Sequence, residues 1–471
     1  MNSAKTAICV LLLTLLAVCV SAIELEEFLN LVENNHPFFS KESLAVEVEE
    51  ARRGTLLPRY QWSYSLTPQY TIVEPPSSAE LFSNLMQTAT LEAGMERGFE
   101  DGKQVGLSVS TSYTWLQNPN ATTVAATTNS FQHGLTLSFS LPLKKNLERL
   151  ERLGYDLQEY TIVSRQAQMQ ENEESFLVQP ATMFIDWAYA LELVDIYQQR
   201  LQLAEEQLQT TNRMFRSNLV DRLDVLRAED AIRTAQQAIF EYQSQAKSIQ
   251  ATLATLSDSE HLYEERPELD FYTFTELPAA AEAARSARSS TRLKKPLLVL
   301  IEQLRFQSGS FEEREKPTLD LFLEAGIYGP QEELSDSLRV IFPQATVGLR
   351  YSPPIGLEQV QSERVFIDTQ IRQLQAEIAS LEKTVETNVS SVLIQAAELE
   401  KIIELNRQLI DSAEEKAREE ARLYNQGRNM LTNVIQSRDS VQAQRAKLVD
   451  SFARYHRLVI QYRALVDQLL P

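Results

Sequence analysis

No glycine occurs between Gly154 and Gly309, nor between Gly356 and Gly427. A glycine in a helix interior costs about 1 kcal/mol relative to alanine, so a chain written this way is suited to long helices. The same stretches are rich in Ala, Leu, Glu, Gln and Arg, all good helix formers. Only 13 of the 471 residues are glycine, under half the usual share of about 7%. Most of the remaining glycines fall within 94–134 and 326–356, and those regions keep a different period.

From Tyr60 the even positions are Tyr60, Trp62, Tyr64, Leu66, Pro68, Tyr70 and Ile72, and the odd ones are Gln61, Ser63, Ser65, Thr67, Gln69 and Thr71. Such alternation predicts a strand with one apolar face. A second run sets Val105, Leu107, Val109, Tyr113 and Trp115 against Gln104, Gly106, Ser108, Ser110, Ser112 and Thr114. A third sets Phe131, Leu135, Leu137, Phe139 and Leu141 against Gln132, Gly134, Thr136, Ser138 and Ser140. A weaker run is Ala89, Leu91, Ala93 and Met95; later come Leu319, Leu321, Leu323, Ala325 and Ile327, then Val347, Leu349 and Tyr351. The competing reading is a soluble β-sandwich. Three features favour a membrane β-barrel. The runs are longer than most soluble strands and suit tilted membrane strands. Their polar faces are mainly Ser, Thr, Gln and Gly, as in a water-filled lumen. Aromatics (Tyr60, Trp62, Tyr113, Trp115, Phe131, Tyr328, Tyr351) sit near run ends, as interfacial girdles require.

Two helical stretches are expected at Lys144–Ser217 and Leu357–Gln426, each extending on the order of 100 Å, longer than a globular core. Pro180 is expected to interrupt and kink the first. Val194, Tyr197, Leu201, Ala204, Leu208, Thr211 and Phe215 recur with coiled-coil spacing.

With 23% charged and 43% hydrophobic residues, the chain is too polar for a polytopic helical membrane protein and too apolar for a disordered one. Its net charge of −20 argues against a nucleic-acid partner. Lys5, the uncharged stretch Thr6–Ala22 and the small residues of Val20-Ser21-Ala22 predict a secretory signal peptide over 1–22. Cleavage there removes both cysteines, Cys9 and Cys19, and leaves a charge of −21; lipidation of Cys19 is the alternative. His36, His133, His261 and His456 are dispersed without metal-ligand spacing. Phosphate loops, nucleophile elbows and a Cys nucleophile are missing from the sequence. No cofactor, metal or enzymatic activity is expected.

The chain repeats itself. Phe215–Asp230 aligns with Tyr424–Asp439 at an offset of 209; Pro37 and Pro58 match Pro296 and Pro317 at 259; Ser140-Leu141-Pro142-Leu143 matches Ser352-Pro353-Pro354-Ile355 at 212. The fall from 259 to 212 puts 47 extra residues in the first strand region, joined as a hairpin (85–116) across Asp101-Gly102. The expected organisation is a lead-in helix (23–57), strands (58–143), a long helical hairpin (144–256, tip near 215–228) and a connector (257–295). A second lead-in helix (296–316), second strands (317–355) and a second helical hairpin (356–471, tip near 424–437) follow.

On Leu57-Pro58, the joints Ser140-Leu141-Pro142-Leu143 and Pro353-Pro354-Ile355-Gly356, and the two tips, the chain resembles the outer-membrane efflux protein family of TolC-like channels. The tips read Phe215, Asn218, Leu223-Asp224-Val225-Leu226, Ala228 and Tyr424, Gly427, Asn433-Val434-Ile435, Ser437. The resemblance implies a homotrimer sharing one β-barrel in outer-membrane lipid and one periplasmic α-helical barrel. It implies an exit duct of a tripartite efflux pump or type I secretion system, passing small molecules or polypeptide. A periplasmic adaptor (membrane fusion protein) and an inner-membrane pump would be its partners. Independently, four or six strands per chain cannot close a barrel; a trimer gives twelve or, with the inserted hairpin in the wall, eighteen.

The resemblance also assigns a gate at the periplasmic mouth, in which the Tyr424 phenol would bond to Asp224. The family's acidic ring would fall at Asn433 and Gln436, which are neutral here, so weak multivalent-cation block is expected. Asn218, Leu223, Val225, Gly427 and Val434 would form the tips that meet the adaptor, Asn218 and Gly427 as turn-formers. The alternatives are a surface-anchored coiled-coil scaffold or adhesin without transport, the periplasmic adaptor itself, and a soluble exported enzyme.

Overall fold

The computed structural model describes residues 22–56, 60–74, 85–99, 101–117, 129–143, 150, 152–331, 342–354, 356 and 358–469. The signal peptide up to residue 21, Cys19, Leu57-Pro58 and Ile355 lie outside them. The chain divides into two compact units: residues 46–166 with 296–377, and residues 1–45, 167–295 and 378–471.

The first of these holds a six-stranded antiparallel sheet. Its strands are β2 (Ser63–Val73), β3 (Leu85–Gly98), β4 (Gln104–Gln117), β5 (Asn129–Pro142), β7 (Thr318–Gln331) and β8 (Phe342–Ser352), hydrogen-bonded in that order. Register keeps the two faces distinct across the sheet. One row runs Tyr64, Met95, Leu107, Leu137, Ala325, Ala345; the adjacent row, on the opposite face, runs Ser63, Glu96, Gly106, Ser138, Glu324, Thr346. A sheet of this kind normally buries its apolar face under another layer. Here Tyr64 is 76% exposed and Val347 69%. The weak Ala89–Met95 run is a full strand, and the last strand starts five residues before Val347, at Phe342. The β3–β4 turn closes with the Phe99 N–H donating to the Lys103 carbonyl (2.9 Å) and Gly102 at φ +78°. Positive φ is where glycine is needed. This turn shares its end of the sheet with the helix joints at Trp62, Leu143 and Pro353.

The second unit holds β1 (Ala22–Glu24), paired in parallel with β6 (Arg266–Glu268), and helix α1 (Leu25–Asn35). It also contains most of α3 (Leu153–Arg216), α4 (Arg222–Ser257), α5 (Ala280–Ser290), most of α8 (Glu358–Asn425) and α9 (Leu431–Leu465). The intervening helices are α2 (Pro37–Thr55), α6 (Lys295–Ser308) and α7 (Phe311–Arg314). Pro180 does not break α3. It forfeits one hydrogen bond, but Leu177, Ala181, Phe184 and Ile185 around it are fully buried, and that packing holds the helix together. The core gathers Phe28, Phe184, Trp187, Leu253, Phe271, Phe452 and Tyr455. Ala283, Ala284 and Ala287 of α5 pack on Val385, Val389 and Leu393 of α8; alanines allow close helix approach there. Helices α3 and α9 are tied by Arg200 to Asp439 (2.6 Å) and by Arg457 to Asp186 (2.8 Å).

Candidate functional site

The two tips end their helices alike. After α3, Asn218 takes φ +54°, its N–H donates to the Phe215 carbonyl (3.0 Å), and the Leu219 N–H donates to the Met214 carbonyl (2.9 Å). After α8, Gly427 takes φ +70°, its N–H donates to Tyr424 (2.9 Å), and the Arg428 N–H donates to Leu423 (3.0 Å). These are left-handed C-caps, which Gly and Asn tolerate best. The tips pack on each other through Ala228, Tyr424, Leu431 and Val434, with Leu208, Met214, Val220 and Ile435 around them.

Tyr424 sits in this cluster at 4% exposure, and its phenol has no hydrogen-bond partner among the described residues. The bond to Asp224 is therefore not made. Asp224 instead accepts from Arg227 (3.2 Å), one helical turn away. Burial raises the Tyr424 pKa above the ordinary tyrosine value, the Thr211 hydroxyl opposes this, and the nearby Asp224 carboxylate adds to it. Asn433 and Gln436 are exposed. The Asn433 amide donates to Asn429 Oδ1 (2.7 Å), which also accepts the Met430 N–H (2.9 Å). Gln436 lines a groove with Arg200, Arg227, Asp230 and Asp439.

Val225 and Val434, grouped on sequence with the docking surface, are 1% and 0% exposed. They occupy equivalent positions inside the tip packing and are not available to a partner. The exposed apolar surface is made by Leu223, as expected, and by Phe215, Leu219, Leu226 and Met430. Apolar residues in the two turns, Leu219 and Met430, were the available signal for it. Asn429 was not singled out on sequence, and Thr211 only as part of the coiled-coil seam.

The sheet is the second element of the site. On its apolar face Tyr70, Trp115, Tyr113 and Phe131 form one aromatic cluster, with ring centroids 4.4–5.6 Å apart. Near the turn end Arg97 lies over Trp62 and Phe99. Phe131 and Phe139, at opposite ends of β5, are about 27 Å apart at about 3.4 Å per residue. A tilt of about 40° reduces this to about 20 Å, close to the ~25 Å apolar band of outer-membrane barrels. The polar face carries Ser, Thr and Gly with Glu92, Glu96, Asp320, Glu324 and Arg350. Two glycines on it are covered by aromatics from the facing strand, Gly134 by Tyr328 and Gly348 by Phe322. Among the described residues no helix is long and apolar enough to cross a membrane, and no cluster is placed to hold a metal ion.

Solved outer-membrane channels share the fold of this chain. VceC of Vibrio cholerae is similar at a TM-score of 0.65 and 12% identity, covering 94% of this chain and 96% of VceC. CusC gives 0.65 at 13%, covering 94% and 91%. MtrE of Neisseria gonorrhoeae, solved in an open state, gives 0.63 at 13%, covering 94% and 89%. A sequence model of the outer membrane efflux protein family matches residues 104–257. That match covers part of the chain and the solved structures share its fold, in line with the resemblance found in the sequence. No curated protein matches it significantly.

Proposed function

We propose that the chain is the exit duct of an export assembly, a homotrimer with its strands in the outer membrane and its helical hairpins in the periplasm. It would conduct small molecules or polypeptide from an inner-membrane pump or type I secretion system. One observation carries this reading: a sheet that cannot close on itself, with one face apolar and uncovered and the other polar. In lipid only closed barrels satisfy every backbone group of a strand, and six strands are too few to close one. The duplicated order of the tips supports two repeats per chain, a pseudo-six-fold helical barrel. The adaptor would dock on the exposed apolar tip surface around Leu219, Leu223 and Met430.

Purified full-length protein in planar lipid bilayers is expected to give ohmic single channels, with export lost on deletion of the gene. Leu219→Asp with Leu223→Asp is expected to abolish export while leaving channel conductance unchanged. Protein that inserts and trimerises but never conducts would favour the surface scaffold instead.

A further inference from the structure

We propose that hairpin β3–β4 is part of the pore wall, so each copy contributes six strands and the assembled barrel has eighteen. This rests on the homotrimeric channel proposed above. The second half of the chain supplies two strands, β7 and β8, and the first supplies four. The surplus pair could have formed an excursion beyond the sheet. Instead it sits in the middle of it, between β2 and β5, with unbroken register on both sides. β3 and β4 are 14 residues each, the length of β5 and β7. Their faces continue those of their neighbours: Ala93, Met95, Leu107 and Val109 lie on the apolar side. The aromatic cluster crosses the insertion, because small Ala89 lets Tyr70 of β2 reach Trp115 of β4 at 5.6 Å. A hairpin outside the wall would have no reason to keep lipid-side parity or to share an interfacial belt with β2 and β5.

The edges define what completes the sheet. β2 and β8 are 11 residues each and run antiparallel. β2 carries no charged residue, and β8 carries only Arg350. Natural proteins protect free edges with charge, proline, shortness or cover; here Arg350, Pro68 and Pro343 are the only charge or proline on the two edge strands. Laying β8 of one copy against β2 of the next continues the antiparallel order and keeps both faces in phase, at the cost of the donors missing at Pro68 and Pro343. The occupant is a second copy of this chain. Because barrel diameter grows roughly linearly with strand number, eighteen strands give a wall about one and a half times as wide as twelve.

The test is electron cryo-microscopy of the full chain in lipid nanodiscs, with cysteine pairs in native membranes as a second measurement. A three-fold map with eighteen wall strands is expected. Thr67→Cys/Glu92→Cys and Ser108→Cys/Thr136→Cys should each bridge within one chain. Thr67→Cys/Thr136→Cys should not, because three strand spacings of about 4.8 Å exceed disulfide reach. A three-fold barrel of twelve strands, with residues 85–117 outside it, overturns the eighteen-strand wall and leaves the channel standing. Particles that are not three-fold, or have no barrel, overturn the channel reading and the wall with it.

Discussion

Asp224 and Asn433 occupy equivalent places on the two tips, as do Arg227 and Gln436, and at these places only the first tip is charged. The sequence alone showed that Asn433 and Gln436 are neutral. It could not show that Asp224 is engaged by its own helix neighbour Arg227 rather than by Tyr424, because an i,i+3 contact and a cross-hairpin contact leave the same residues in the chain. Since the phenol makes no bond, Tyr424→Phe should cost the tip well under the ~1 kcal/mol of an ordinary hydrogen bond. Hydrogen exchange of the tip amides measures this. The raised phenol pKa means Tyr424 contributes fully below the unfolded value of about 10 and loses its contribution as pH rises through the folded one. Tip stability should therefore fall in alkali, and Tyr424→Phe should remove that fall. At the mouth, multivalent cations should block wild-type channels weakly, and Asn433→Asp with Gln436→Asp should confer strong block in bilayer recordings. Strong wild-type block abolished by changing those two residues would contradict the assignment.

Among the elements, the alternating strands were legible wherever large side chains marked the apolar face. β3 was faint because Ala89 and Ala93 are small; Ala89 lies between Tyr70 and Tyr113, which fill the space, and Ala93 between Leu66 and Val109. The start of β8 was hidden by Pro343, a residue tolerated on an edge but not in a central strand. The expected break at Pro180 failed for the opposite reason: burial of its neighbours outweighs one lost bond. Periodicity reports which face is apolar, not how tightly it is packed, so it could not separate Val225, which is buried, from Leu223, which is exposed. The glycine–aromatic pairs permit a sharp test. A Cβ at Gly348 would clash with the Phe322 ring. Gly348→Val should therefore cost about 1–3 kcal/mol through overpacking and lower the yield of heat-resistant oligomer on gels. Adding Phe322→Ala should restore much of it.

For the molecule as a whole, the repeat offsets and the two kinds of period were enough to anticipate an antiparallel sheet joined to helical hairpins. Whether the extra hairpin belonged to the sheet needed hydrogen-bond register, which composition does not encode. In a symmetric assembly every tip is used. Co-expressing wild-type chain with equal amounts of the Leu219→Asp, Leu223→Asp chain should leave about one-eighth of full export if all three wild-type copies are required. A fall to only one-half would mean that copies act singly.

The bare flank of β2 has a consequence for the life of a newly made chain. With no charged side chain and only Pro68 to repel a stranger, a lone copy can join a wrong strand as well as its sibling. In the proposed trimer, maturation is then a race between meeting two siblings and meeting anything else. The number of finished ducts should rise more steeply than the rate at which chains are supplied.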